Sequence, residues 1–344
     1  MFQRTPIFKA DTVRPACHCS TLIELPNGEL LAAWFAGEYE MAPNVAILAA
    51  RLTSEGWSTP QVVADTPGKA EGQPVFLNHP DGSLWLFHVT VEKSHWTSAR
   101  MKVKVSWDEG RTWEDGPPLP SEEGLMFRSQ PLILDTGDIL VPVYDEKTWQ
   151  SMAMLSANGG RTWELGTPII TPPGNIHLSV VPLADGQLLG YLRTGGPGGW
   201  IWQATSADGG RLWSEIRPTS IPNPNAGIDL IRLHNGVLLL AFNNSSRVRT
   251  PLNVALSEDE GASWTYLQTV SAFSQEGREP GGLAESVGGQ GLARKRPVEY
   301  SYPTLRQTRD GLIHLSYTDN RTSIQHAIFN EAWLREGVLW EKRA

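Results

Sequence analysis

The chain has 344 residues, 40 % hydrophobic and 19 % charged, with 14 tryptophans, two cysteines and a formal net charge of −8. That balance excludes a disordered, collagenous or coiled-coil chain and makes nucleic acid an unfavourable partner. The length suits two ordinary domains or one large all-β unit, and no apolar run reaches the roughly 18 residues of a membrane-spanning helix, so no membrane partner is expected.

The chain opens on Met1-Phe2-Gln3-Arg4-Thr5-Pro6, which lacks the apolar stretch of a secretory leader, so a cytoplasmic location is expected. A strand is predicted over Thr5 to Lys9. Cys17 and Cys19 stand two apart. A bridge at that spacing is very tight, so two separate thiols are expected. From here a turn marker recurs: Asn27-Gly28, Asp81-Gly82, Asp135-Thr136-Gly137, Asp185-Gly186, Asn235-Gly236 and Asp310-Gly311. Asn-Gly and Asp-Gly are strong hairpin signals. Each is flanked by apolar runs such as Leu30-Leu31-Ala32-Ala33-Trp34-Phe35 and Leu238-Leu239-Leu240-Ala241-Phe242.

Between these turns lies a second repeat. Ser106-Trp107-Asp108-Glu109-Gly110-Arg111-Thr112-Trp113 returns from Ser156 to Trp163, from Ser206 to Trp213 and from Ser257 to Trp264, with serine spacings of 50, 50 and 51. A degenerate copy ends at Gly56-Trp57. The Asp or Asn oxygen can accept from nearby backbone N–H groups, the glycine relaxes the chain, and the Trp is placed to fill a groove between sheets. These boxes read as scaffold. A four-stranded unit about every 50 residues is a propeller blade. The chain is therefore predicted as one all-β domain over 1–344, a six-bladed β-propeller. Its blades fall near 15–65, 66–120, 121–170, 171–220, 221–270 and 296–344. The N-terminal strand and Val338 to Lys342 are expected to share the closing blade. Two stretches break the spacing: Thr194 to Gly199, and the Gly-rich segment around 275–295, which reads as a lid or as tolerated surface.

In a propeller the inner strand of each blade ends in the hairpin turn, so residues about nine before each turn glycine gather around the axis. They are Gln73, Arg128, His177, Gly227 and Tyr302; in the first blade His18, ten before its glycine, is taken for that place. Glu71 and Asp229 stand two residues from this ring. Two His, one Arg, one Tyr and nearby carboxylates are groups that chemistry needs, so an active or ligand site is expected on this face. Arg193, ending the second strand of the fourth blade, is a candidate anion ligand. Glu38 and Glu40 follow the second strand of the first blade and are candidate overhanging carboxylates. Arg321 and Asp319 in the sixth blade, and Arg14 before the first inner strand, are further candidates. The remaining histidines read as surface or core positions. A metal on His18, His177 and Asp229 has no spacing motif behind it, and neither metal nor cofactor is expected.

The four boxes in a six-blade plan resemble the sialidase (neuraminidase) superfamily, in its BNR or Asp-box repeat branch. The resemblance covers most of the chain. It implies a sialidase-type propeller with an arginine triad for a substrate carboxylate, a Tyr–Glu nucleophile pair and an Asp acid/base. Tyr302, in Tyr302-Pro303-Thr304-Leu305, falls on the tyrosine, and Arg193 on the second arginine. His18 stands where the first arginine is expected, and His177 where the glutamate is expected. Arg296, Arg249 and Arg321 compete for the third arginine, and the aspartate has no match beyond the region of Glu38 and Glu40. The chain thus diverges from the family in its catalytic residues.

Three functions are consistent with these residues. The first is a sialidase-like glycoside hydrolase acting on an acidic mono- or oligosaccharide. In it Tyr302 or water attacks, His177 is the base, Glu38 or Glu40 is the acid, and Arg193 with Arg128 binds the carboxylate. His18 belongs to the same catalytic group, and Gln73, Glu71, Asp229, Arg321 and Arg14 to substrate binding. The second is a uronate-glycan lyase working by β-elimination with His and Tyr. The third is a non-catalytic carbohydrate-binding propeller.

Overall fold

The computed structural model describes residues 1–9, 12–196, 199–272 and 298–343, with side chains to 340. Six antiparallel sheets are arranged radially as a six-bladed β-propeller. Blade 4 is the simplest: Asn175–Pro182, Leu188–Thr194, Gly199–Ser206 and Ser214–Asn223 run from axis to rim. Blade 1 has Ala16–Glu24 innermost, blade 2 Ala70–Asn78 and blade 6 Tyr300–Gln307. In blade 3 the inner strand is split into Leu125–Phe127 and Leu132–Ile133, and in blade 5 it shortens to Asp229–Arg232.

The turn chemistry decides where each inner strand stops. Gly28, Gly82, Gly137, Gly186, Gly236 and Gly311 all have φ between +84° and +91°, a region closed to most side chains. In five of these turns the Asn or Asp oxygen accepts from the N–H two residues on, as in Asn27 Oδ1 with Glu29 and Asp310 Oδ1 with Leu312. Blade 3 has no Asx residue at that place, and Thr136 Oγ1 accepts from Asp138 instead.

The boxes form the outer corners. Ser106 Oγ accepts from Gly110, while Asp108 accepts from Arg111 and Thr112 N–H and from Thr112 Oγ1. Each box Trp then enters the groove toward the preceding blade. Trp113 stacks near Phe76, Trp163 meets Phe87 edge-on, and Trp264 Nε1 donates to Tyr191 Oη at 3.1 Å. Trp57 closes the ring by meeting His326 of blade 6. Gly160 and Gly210 lie so close to Trp85 and Leu140 that a Cβ would come within 2.8 Å of them. The core is therefore a circle of inter-blade clusters rather than one centre.

The two termini part company. Phe2–Pro6 is the outer strand of blade 6, pairing with Ser323–Phe329. Val338–Arg343 does not join it there. It extends blade 5 as a fifth strand against Ser263–Ser271. The rim of blade 6 is already occupied, and the short helix Glu331–Arg335, capped by Asn330, redirects the chain.

Candidate functional site

Every inner strand that runs unbroken past the axial position carries a bulge at it. Pairing with the second strand skips between His18 and Thr21, Gly72 and Val75, Ile176 and Ser179, and Ser301 and Thr304. Inside these skips Cys19, Gln73, His177 and Tyr302 have φ of +57°, +52°, +57° and +55°. Non-glycine residues seldom adopt that region, and a bulge re-aims the side chain. By this register the first-blade member of the ring is Cys19, nine before Gly28, and not His18. Cys19 Sγ donates to Gln73 Oε1 at 2.8 Å. His18 lies one residue earlier. Its ring still packs on Tyr302, 4.1 Å between centroids, with Nδ1 hydrogen-bonded to Thr318 Oγ1.

Tyr302 is the centre of the cluster. Arg193 Nη1 donates to its Oη at 2.8 Å. The guanidinium carbons of Arg128, Arg249 and Arg193 lie 5.2, 5.6 and 5.8 Å from its ring centre. His177 meets the phenol ring edge-on at 5.2 Å, and Tyr144 meets His177 from the other side at 5.0 Å. Gly227 completes the ring of six. A Cβ there would lie 3.4 Å from both His177 Nδ1 and Tyr302 Cγ, so glycine lets the two rings approach.

The arginines are linked to one another. Asn225 Oδ1 accepts from Arg193 Nε at 2.7 Å, and Asn225 O accepts from Arg249 Nη2 at 3.0 Å. Glu299 pairs with Arg249 at 3.5 Å and with Arg321 at 2.6 Å, and Arg321 in turn pairs with Glu40. Arg193 also faces the Trp149 ring. Arg193 ends a second strand, Glu40, Trp149, Arg249 and Arg321 follow second strands, Asn225 follows a fourth, and Glu299 precedes an inner strand. The antiparallel register returns the second strands to the end where the inner strands begin: Ile176 is opposite Arg193, and Tyr300 opposite Asp319.

Burial and charge set the protonation states. Burial, and then the surrounding arginines, hold His18 and His177 well below the ordinary imidazole range, so both rings are neutral. His177 Nδ1 and His18 Nε2 are buried without a hydrogen-bond partner. Burial pushes the Glu146 carboxyl up to about 7; Arg193 opposes this, while Asp145 and Glu40 add to it. Burial likewise raises the Tyr144 phenol and pushes the Cys19 thiol up to about 11, so Cys19 is an unreactive neutral thiol.

The remaining candidates from the sequence lie in several places. Arg128 is 2 % exposed and sits beneath Tyr302, donating to Pro303 O and Thr304 Oγ1. It holds the tyrosine's strand rather than facing outward. Gln73 is buried against Cys19. Glu71 is fully buried inside blade 2, where it pairs with His88 at 2.8 Å and accepts from Thr90, so it is closed to a ligand. Arg14 donates to Ala36 O and Asn44 O, fastening the loop after the second strand of blade 1. Glu38 is exposed, Glu40 is held by Arg321, and Asp319 accepts from Asn320. Asp229 points the other way, into the half of the channel nearer the hairpin turns. There it accepts from Leu305 N–H at 2.7 Å and Ser179 Oγ at 3.1 Å. Arg296 and the Gly-rich segment lie outside the described residues. Sequence reasoning passed over Glu146, Asn225, Glu299 and Trp149. They occupy loops with no periodic or turn signal of their own, except that each stands close to the end of a second or fourth strand or the start of an inner one.

The geometry invites comparison with known structures. A Hadza microbial sialidase, Hz136, superposes with a TM-score of 0.76 at 16 % identity, over 96 % of this chain and 69 % of that one. The intramolecular trans-sialidase from Ruminococcus gnavus, in complex with oseltamivir carboxylate, gives 0.72 at 16 % identity, over 95 % and 97 %. A protein of unknown function from Dyadobacter fermentans gives 0.71 at 17 % identity, over 95 % and 98 %. Likeness at these identities establishes a shared fold, and activity has to be argued from the site. No curated protein matches the sequence. Residues 28–315 match the BNR repeat-like domain, and the chain belongs to that family.

Proposed function

We propose that the protein is a sialidase-like glycoside hydrolase acting on a carboxylate-bearing sugar. The observation that carries this reading is the convergence of Arg193 and Arg249 on Tyr302, both held by Asn225. Planar guanidinium groups suit a carboxylate, which they can grip through paired hydrogen bonds. Arg321 is the third member. It comes from blade 6, beside the place where His18 replaces the arginine that the family resemblance leads one to expect. Its partners Glu40 and Glu299 keep it in position until a substrate carboxylate competes for it.

Tyr302 Oη attacks the anomeric carbon, and Arg193 against that oxygen compensates negative charge developing on it. The glycosidic C–O bond breaks as Glu146, whose carboxyl stays protonated to about pH 7, gives its proton to the leaving oxygen; water then attacks the anomeric carbon, Glu146 takes its proton and Tyr302 Oη departs. His177, neutral, with a bare Nδ1 and its ring edge-on to the phenol, is the proposed base for the phenolic proton and returns it to Oη when the sugar leaves. The same two neutral imidazoles beside a tyrosine favour one other reading. In β-elimination beside a uronate, His177 or His18 takes the ring proton, Tyr302 protonates the departing oxygen and the arginines neutralise the carboxylate.

The test is a product assay. The protein is incubated with sialosides and with uronic-acid oligosaccharides, and products are followed by mass and by ultraviolet absorbance. A released sugar carrying one added water, lost in Tyr302→Phe, supports hydrolysis. An unsaturated uronate product replaces it with elimination. If Tyr302→Phe and Arg193→Ala bind and turn over acidic sugars as the parent does, the axial site is not the active site.

A further inference from the structure

The axial channel has a second end. Past the bulges, toward the hairpin turns, a cavity of about 620 Å³ opens between blades 3, 4, 5 and 6. It shares no lining residue with the Tyr302 cluster. Gln130, Ser179, Asp229, Arg232 and Arg306 line it, with the turn from Leu233 to Gly236 at its mouth.

Arg306 is the unusual member. Among the described residues its guanidinium makes no hydrogen bond and no ion pair, and its Nε has no exposed surface. Every other charged group in the cavity is engaged. Arg232 donates to Pro182 O and pairs with Glu260. Asp229 accepts from Leu305 N–H and Ser179 Oγ, with Gln130 Nε2 at 3.4 Å. Burial also favours the neutral form of Asp229 and disfavours the cation of Arg306. Asp229 therefore does not serve as a hydrogen-bonded counter-ion. A half-buried guanidinium with nothing to bind is costly, and Arg306 lines a space large enough for a small molecule.

The geometry points to a small-oxoanion site at the turn end of the channel, with the Arg306 guanidinium as its ligand; the Gln130 amide, which donates to Leu305 O and Asp229, helps to shape the wall. The chemical class is a carboxylate or phosphate monoanion, which the guanidinium fork can grip in a bidentate manner. The site is separate from the proposed sugar site and stands whether or not that reading holds. It supplies blades 3 to 6 with a shared counter-ion at the point where their inner strands converge.

The experiment is a calorimetric titration of the full chain with inorganic phosphate and, separately, with acetate, checked by broadening of the phosphorus resonance. The expected result is saturable binding with a Kd on the order of 1 mM for at least one of the two anions. The tighter anion identifies the source. Arg306→Gln should weaken it at least about tenfold, and Arg306→Lys, which keeps the charge but loses the fork, by less. The titrations are also run in Arg193→Gln, which weakens anion binding at the arginines around Tyr302; the Arg306-dependent binding should persist in that background. Circular dichroism checks that each variant is folded, and Arg306→Lys carries the test if the glutamine variant is not. In the Arg193→Gln background, anion binding that is unaffected by Arg306→Gln, or no saturation by about 50 mM of either anion, would each overturn the proposal.

Discussion

The box corners and the axial cluster draw on the same kinds of groups and assemble them in opposite ways. At the 106–112 corner the side chains of Ser106 and Asp108 bond only to groups within four residues, and Asp108 accepts from three donors on Arg111 and Thr112. At the axis, Arg193 reaches Tyr302 across 109 positions, and Arg321 reaches Glu40 across 281. The corner is satisfied by its own sequence. The axial end is satisfied only when the ring closes, and even then His177 Nδ1 and His18 Nε2 have no partner. Satisfied local motifs can repeat without cost to function; unsatisfied, non-local ones are where a ligand has something to add.

The comparison breaks most visibly if the corners matter to chemistry or the axis to stability. Trp264 is fully buried between blades 4 and 5 and donates to Tyr191. Trp264→Ala should cost about 3–5 kcal/mol in denaturant unfolding. It should leave turnover per folded molecule unchanged. A loss below about 1 kcal/mol would mean that the grooves are not held by these rings.

Arg193→Gln reverses the pattern. It removes the donor to Tyr302 Oη and one half of the Asn225 bridge. Turnover of an acidic sugar should fall by about 10²–10³ in kcat/KM. Unfolding should shift little, because a guanidinium confined among like charges contributes mainly to the site. Equal losses on neutral and acidic glycosides would remove the carboxylate from its role.

How much of this was legible depends on the same local-versus-distant contrast. The six turns, the boxes and their Trp grooves could be read because their bonds lie within the motif. Counting nine residues back from each turn glycine picks out Gln73, His177 and Tyr302, all of which lie at the bulges. The same count gives Cys19 in blade 1. The looser count of about nine takes His18, ten before Gly28, and the register corrects it by one residue. Glu71 looked like a site carboxylate by spacing, yet a histidine 17 residues on takes it into blade 2. Period-two spacing says which face a residue shares, not what already fills that face. Asn225, Glu299 and Glu146 had no local signal because their partners arrive from other blades. The strand at Val338–Arg343 was assigned to the closing blade by symmetry, and competition with Phe2–Pro6 for one rim overrode it.

A smaller effect separates turn chemistry from charge. The Asp259 carboxyl is held below the ordinary carboxylate range by hydrogen bonds from Ser263 and Ser257 that outweigh burial. A depressed carboxyl contributes stability above its unfolded pKa, near 4, and loses it as pH falls through its own lower value. Asp259→Ala should therefore cost about 1 kcal/mol at pH 7. Asp259→Asn should retain most of that, since Asn158 holds the equivalent corner through Oδ1 with Arg161 and Thr162. The asparagine variant should also lose the acid-linked part of the unfolding curve. If it is as unstable as the alanine variant at pH 7, the corner depends on charge and not on hydrogen bonding.

Glu146 gives a stability effect of opposite sign and the most direct reading of the site. Its carboxyl is raised, to about 7, so the linkage runs opposite to that of Asp259. The fold favours the protonated form, and stability is lost as pH rises from the ordinary carboxylate range to about 7, then levels off. Glu146→Gln should match the parent at pH 4 and exceed it at pH 8 by on the order of 1 kcal/mol, given partial solvent screening. If Glu146 is the proton donor, kcat/KM of the parent should fall as pH rises through about 7, and Glu146→Gln should lose that limb together with most of the rate. Arg193 supplies a further check, because its positive charge holds Glu146 down against burial. The residual activity of Arg193→Gln should show the limb displaced to higher pH. A limb in the same place in both proteins would assign it to a group away from Arg193, and Glu146 would cease to be the acid.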